Sequence, residues 1–178
     1  MDCGTILIEV KKFLTSKINT KERTKKRREY LATKVVNTLE IFVEGCAKVV
    51  QDDGTFMGQA GLDGAHSPQA SKPELLPLDQ DVDWQSINAN LMNEILGFPN
   101  KIHFANSKID NAGEHSSPPE YFEFYKERQY QHSLLGIEAI KIISKLNQEA
   151  GFTERGGNLT SFEAELFKTT LEKEKRLP

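Results

Sequence analysis

The chain has little to hold a fold together covalently and nothing long enough to cross a membrane. Its two cysteines, Cys3 and Cys46, are too few and too far apart for a disulfide framework or a thiolate metal site. Both read as small apolar fillers in a reducing cytoplasm. No apolar run approaches the ~20 residues of a membrane helix, and no basic-then-apolar leader with a small-residue cleavage site opens the chain. The expectation is a cytoplasmic protein, at most peripheral to the inner face of the membrane. Tryptophan occurs once, at Trp84, and reads as a packing anchor.

What is abundant is charge, unevenly placed. Residues 1–28 hold nine Lys/Arg against three acids, +6, while the remaining residues carry −9, within a net charge of −3. A basic arm is thus joined to an acidic body, and 178 residues suit one domain with a real core.

Helical periodicity organises that body. Leu31, Val35, Leu39, Phe42, Cys46 and Val49 recur at intervals of three or four, and Asp52-Asp53-Gly54 stops the pattern. A second stripe, Tyr121, Tyr125, His132, Leu135, Ala139, Ile142 and Leu146, predicts a helix over 117–151. Ser117 is its expected cap, Pro118 and Pro119 its first turn, and Gly151 its left-handed end. No proline falls between Pro119 and Gly151. Shorter helices are expected at 86–97 and 100–112, divided by Gly97-Phe98-Pro99, and at 160–174, opened by Thr160 and Glu163 at capping-box spacing. Residues 54–80, rich in glycine and proline, read as a flexible linker, mobile over 56–72 and attached through Leu75, Leu76 and Leu78.

Chemistry is harder to find. The four histidines, His66, His103, His115 and His132, fall in separate segments, and none stands three residues after a glutamate as carboxylate-bridged metal bundles require. His132 lies on the apolar stripe between Tyr125 and Leu135, with Arg128 one turn before it, the setting of a hydrogen-bonded core histidine. Glu120, Glu123 and Glu127 compensate the positive end of a helix. No glycine-rich phosphate loop, nucleophile elbow or cysteine–histidine pair is present. The sequence therefore implies no catalytic residue, cofactor or metal.

At the N-terminus, Ile6, Val10, Phe13, Leu14 and Ile18 share one helical face, followed directly by the basic cluster. Lys11, Lys12, Lys17, Lys21, Lys25, Lys26, Arg27 and Arg28 are the candidate interaction residues. They suit a protein partner, a second copy of the chain or an anionic membrane surface, where each nearby cation adds about 1 kcal/mol. Nucleic acid fits less well, because no aromatic residue is interleaved with the cluster over 17–28 and the body is acidic.

Asp81-Val82-Asp83-Trp84, Leu96 with Pro99-Asn100, Pro118-Pro119-Glu120-Tyr121, and Phe124 through Arg128 to Gly136 resemble a group of short bacterial helical proteins with no assigned activity. The resemblance covers about residues 28–152 and brings no catalytic or binding residue with it. Some similar proteins carry a hydrophobic segment before the first long helix; here that region is the amphipathic stretch Ile6–Ile18.

The expected fold is all-α: an elongated bundle of two long antiparallel helices with shorter helices packed along them. The expected parts are an amphipathic basic arm (1–21), a helical bundle domain (22–155) containing the flexible linker, and a C-terminal amphipathic helix and tail (156–178). The expected function is that of a non-enzymatic bacterial scaffold or interaction protein working through the arm. The alternatives are nucleic-acid binding through the same arm, or an enzyme or metal protein with a site near His132.

Overall fold

A run of 48 helical residues, Cys3–Val50, opens the structure as α1. The computed structural model describes residues 3–78, 81–152 and 159–175, with side chains described over 15–78, 81–152 and 161–173. After α1 come a single 3-10 turn at Trp84–Ser86, then α2 (Ala89–His115), α3 (Phe122–Ala150) and α4 (Leu159–Lys175). Among the described residues there is no strand, only an isolated bridge between Phe56 and Gln59.

The periodic apolar positions of α1 do what their spacing predicts. Leu31, Val35, Leu39, Phe42, Cys46 and Val49 are all buried, and on α3 so are Tyr125, His132, Leu135, Ala139, Ile142 and Leu146. α3 is the central element and packs against α1, α2 and α4 in turn. At one end of the body, the Arg28 side chain donates to Ser86 O at 2.7 Å and Glu149 O at 3.4 Å, and Asn88 N donates to Glu149 Oε1 at 2.6 Å. A cation beside the last carbonyls of α3 also meets the negative end of its dipole. At the other end, residues just past α1 meet the first turns of α3, as described below.

Two expected boundaries are corrected. α2 is continuous through Gly97-Phe98-Pro99, with Pro99 exposed on its outer side. Phe98 is completely buried and meets the Phe42 ring edge-on, with centroids 5.4 Å apart, so burial holds the helix where local preference would end it. α2 begins at Ala89 rather than 86, because Asn88 is the residue whose side chain caps it, accepting from Asn90 N at 2.8 Å. Asp83 caps the preceding 3-10 turn.

α3 also starts later than the proline pair suggests. The chain turns through Ser116–Tyr121, and the cap is Tyr121, at φ 49°, with no side-chain hydrogen bond of its own; Ser116, at the end of α2, reaches across the turn, its Oγ accepting from Phe124 N at 3.2 Å and donating to Glu123. The far end matches expectation: Gly151, at φ 73°, closes α3 with Phe152 N donating to Asn147 O at 2.9 Å. α4 docks through Phe167, which is fully buried, while Phe162 is exposed. The expected cap Thr160 has a side chain outside the described set. Leu75 and Leu78 pack on the core as anticipated, but Leu76 faces solvent.

Candidate functional site

The eight basic candidates do not form one set. All lie on α1, which runs through the expected boundary at 21–22 without a break. The side chains of Lys11 and Lys12 lie outside the described residues. Lys17, Lys21, Lys25 and Lys26 are exposed, and residues 15–27 as a whole are exposed, whereas burial begins only at Leu31. At about 1.5 Å per residue, the exposed stretch 15–27 spans about 20 Å of α1. Arg27 and Arg28 belong to the root of this arm rather than to its free surface: Arg27 Nη1 pairs with Asp83 Oδ2 at 3.0 Å, and Arg28 makes the contacts given above. Lys25 lies 3.7 Å from Glu29 one turn on. Beside the root, Lys26, Arg27, Tyr30, Asp81, Val82 and Asp83 line an open groove of about 550 Å³.

A second constellation, at the opposite end of the body, was only half visible in the sequence. Asp52, two residues past α1, is buried and accepts four hydrogen bonds. Gly54 N donates to Oδ1 at 2.9 Å, and Gln69 N, Ala70 N and Arg128 Nη1 donate to Oδ2 at 2.9, 2.8 and 2.8 Å. Arg128 also donates to Ala70 O, so Ala70 is held through both its N–H and its carbonyl. Gln129 Nε2 donates to Asp52 O at 3.0 Å. Residues 52–70 therefore form a loop closed at its base by one carboxylate and one guanidinium. Further out, Ser67 N donates to Gly54 O, and His66 N donates to Pro119 O, both at 2.9 Å.

The ionisable groups around this clasp are held away from neutrality-range chemistry. Burial pushes the Asp52 carboxyl up, but the N–H groups of Ala70 and Gly54 and the Arg128 guanidinium outweigh it and leave the group below the usual carboxylate range. Burial lowers His132 to about 4, with Arg128 and Lys72 adding to the effect against a hydrogen bond to Arg128 O. That carbonyl can only accept, so at 2.8 Å His132 Nδ1 carries a proton, and the lowered pKa favours the neutral ring near pH 7. Tyr125 is pushed up to about 12, mainly by burial, and its hydroxyl has no hydrogen-bond partner within the protein. It lies against Gly54, where an added β-carbon would stand 2.3 Å from the phenol oxygen. The Cys46 thiol is raised far out of the neutral range by burial. None of these four groups is both exposed to solvent and shifted toward neutral pH.

Glu127 accepts from Gln131 Nε2 at 2.7 Å, and Glu123 bonds Ser116. Among the described residues no three His, Cys, Asp or Glu side chains gather into a metal-binding group, and no helix is long and apolar enough to cross a membrane. The chain matches no protein-family model, no curated protein and no solved structure.

Proposed function

We propose that this chain is a non-enzymatic interaction protein: an elongated scaffold, with α1 and α3 as its long antiparallel pair, that presents the first half of α1 as a docking arm. The observation that carries the reading is the exposure of residues 15–26, a basic helical segment continuous with one that packs on the body. The antiparallel arrangement is supported by the crossed order of contacts, with Arg28 of α1 at the end of α3 and Asp52 at its beginning. The buried, neutral state of His132 favours an interaction protein over an enzyme or metal protein at that position. The resemblance of residues 28–152 to short bacterial helical proteins fits the same reading, because it brings no activity with it.

A protein surface, including a second copy, or an anionic membrane surface is the partner the arm suits. Nucleic acid is less supported, since no aromatic residue stands among residues 15–27 for bases to stack on. The test compares the unaltered chain with a charge-reversed one carrying Lys17→Glu, Lys21→Glu and Lys26→Glu. Self-association is read by light scattering and membrane binding by retention on phosphatidylserine vesicles. Loss of either association with unchanged circular dichroism is the expected result. Association that survives reversal in both assays, or an unaltered chain that shows neither, overturns the reading.

A further inference from the structure

The loop that Asp52 and Arg128 close carries apolar side chains outward. Phe56, Met57 and Leu62 are 64%, 88% and 113% exposed, although single exposed apolar residues are ordinary and three on one short loop are not. The loop is also organised to hold them there. Phe56 and Gln59 exchange backbone hydrogen bonds at 2.9 and 3.0 Å, Gly61 N donates to Ala65 O at 2.9 Å, and Gly64 N donates to Gly61 O at 2.8 Å. Thr55 N and its hydroxyl both donate to Asp53 Oδ1, and Ala65 N donates to Asp63 Oδ1. Met57 sits at φ 51°, in the left-handed region that a side chain enters at a cost. An exposed, strained, apolar residue on a hydrogen-bonded loop is the form of a binding loop whose ordering cost has been met before the partner arrives.

Charge identifies that partner. From Val49 to Ser71 there is no Lys or Arg, and Asp53 and Asp63 are exposed. The hydrogen bond from His66 to Pro119 brings the exposed Glu120 at the start of α3 to the same end of the body. Such a surface repels anionic lipid and nucleic acid and matches a partner that is both basic and apolar. The chain contains one: the arm, with Ile18 61% exposed among Lys17, Lys21, Arg23, Lys25 and Lys26. A molecule cannot satisfy its own loop, because Ile18 and Val50 are separated by uninterrupted helix, about 48 Å at the usual rise.

Resting on the reading of residues 15–26 as a docking arm, we infer that the arm of one copy binds the Phe56–Leu62 loop of another. The arm and the loop lie at opposite ends of α1, so two copies satisfy each other either reciprocally, as an antiparallel two-fold pair, or head to tail, in chains or rings.

The test uses two full-length variants. One disables the loop (Phe56→Ser, Met57→Asn, Leu62→Ser), the other the arm (Ile18→Ser, Lys21→Glu, Arg23→Glu); all six positions are exposed, and circular dichroism checks that each variant keeps its helix content. In sedimentation at low salt, the unaltered chain is expected to associate with concentration, to a dimer or beyond, and to return toward the monomer on adding salt. Each variant alone is expected to remain at 20.1 kDa. Mixed one to one they are expected to form a complex of twice that mass that grows no further, since one working arm meets one working loop. Self-association of the loop variant alone assigns the arm to a different surface and overturns the inference while leaving the docking arm in place. An unaltered chain that stays monomeric, including one that binds vesicles through the arm, overturns it as well.

Discussion

Arg128 Nη1 lies 2.8 Å from Asp52 Oδ2 with both side chains buried, a pair that joins α3 to the residue just past α1 across 76 positions of sequence. Besides the guanidinium, Asp52 accepts from the N–H groups of Gly54, Gln69 and Ala70, and Arg128 has a second acceptor in Ala70 O. This satisfies the condition under which a buried ion pair holds structure instead of only costing desolvation.

Breaking one side of the pair should therefore be costly. Arg128→Met leaves a buried carboxylate with no cation and is expected to lower stability by about 3–5 kcal/mol in urea unfolding. The double variant Asp52→Asn with Arg128→Met should cost less than the sum of the two single variants, because the stranded charge is gone. Limited proteolysis should cut Arg128→Met first within 54–68. A loss under about 1 kcal/mol for Arg128→Met would mean that the ion pair does not secure the loop.

How much of this was legible follows from which contacts are local. The apolar stripes of α1 and α3 and the Gly151 cap depend on neighbours three or four residues away, so periodicity located them. The break expected at Gly97-Phe98-Pro99 failed because Phe98 answers to Phe42, on another helix. Tyr121 stands at the cap position expected for Ser117, after a turn that is held partly by His66, more than 50 residues earlier. The clasp was missed for the same reason: Asp52 reads locally as a helix stop, and its partners arrive from Gln69, Ala70 and Arg128. One signal was present. Arg128 stands on the buried stripe between Tyr125 and His132, and an arginine there must find a buried acceptor. The arm was legible as charge, but only the fold separates Arg27 and Arg28, which hold the body, from the lysines before them.

His132 gives a pH signature that distinguishes it from the clasp. Its pKa falls from about 6.5 in the unfolded chain to about 4 in the folded one, so the unfolded state binds the extra proton between those values. The associated stability is complete above about pH 6.5 and is lost as pH falls through about 4. Between pH 7 and 5 the unaltered protein should lose about 2 kcal/mol from this group, at about 1.36 kcal/mol per unit. His132→Asn, which retains a donor toward Arg128 O, should flatten that interval whatever its cost at pH 7. Asp52 acts lower: its stabilisation is present above the unfolded carboxylate value and lost only as pH falls through its depressed folded value. Equal pH slopes for His132→Asn and the parent between pH 7 and 5 would remove His132 as the source.

Gly136 offers a test of how α4 is held. A β-carbon there would stand 2.3 Å from the Phe167 ring, and that ring is fully buried. Glycine in the middle of a helix costs about 1 kcal/mol relative to alanine, so α3 gives up helical preference at this position to let the ring approach its backbone. Gly136→Ala is accordingly expected to destabilise by about 1–3 kcal/mol through overpacking, against its local helical benefit. Phe167→Leu alone loses buried ring contacts and should also destabilise. Combined with it, Gly136→Ala should become neutral or stabilising, because the smaller side chain leaves room for the methyl group and the helical benefit remains. A double-mutant cycle in urea measures this coupling. Additive losses would show that the ring accommodates the methyl group by shifting, and that close approach to Gly136 is not what docks α4.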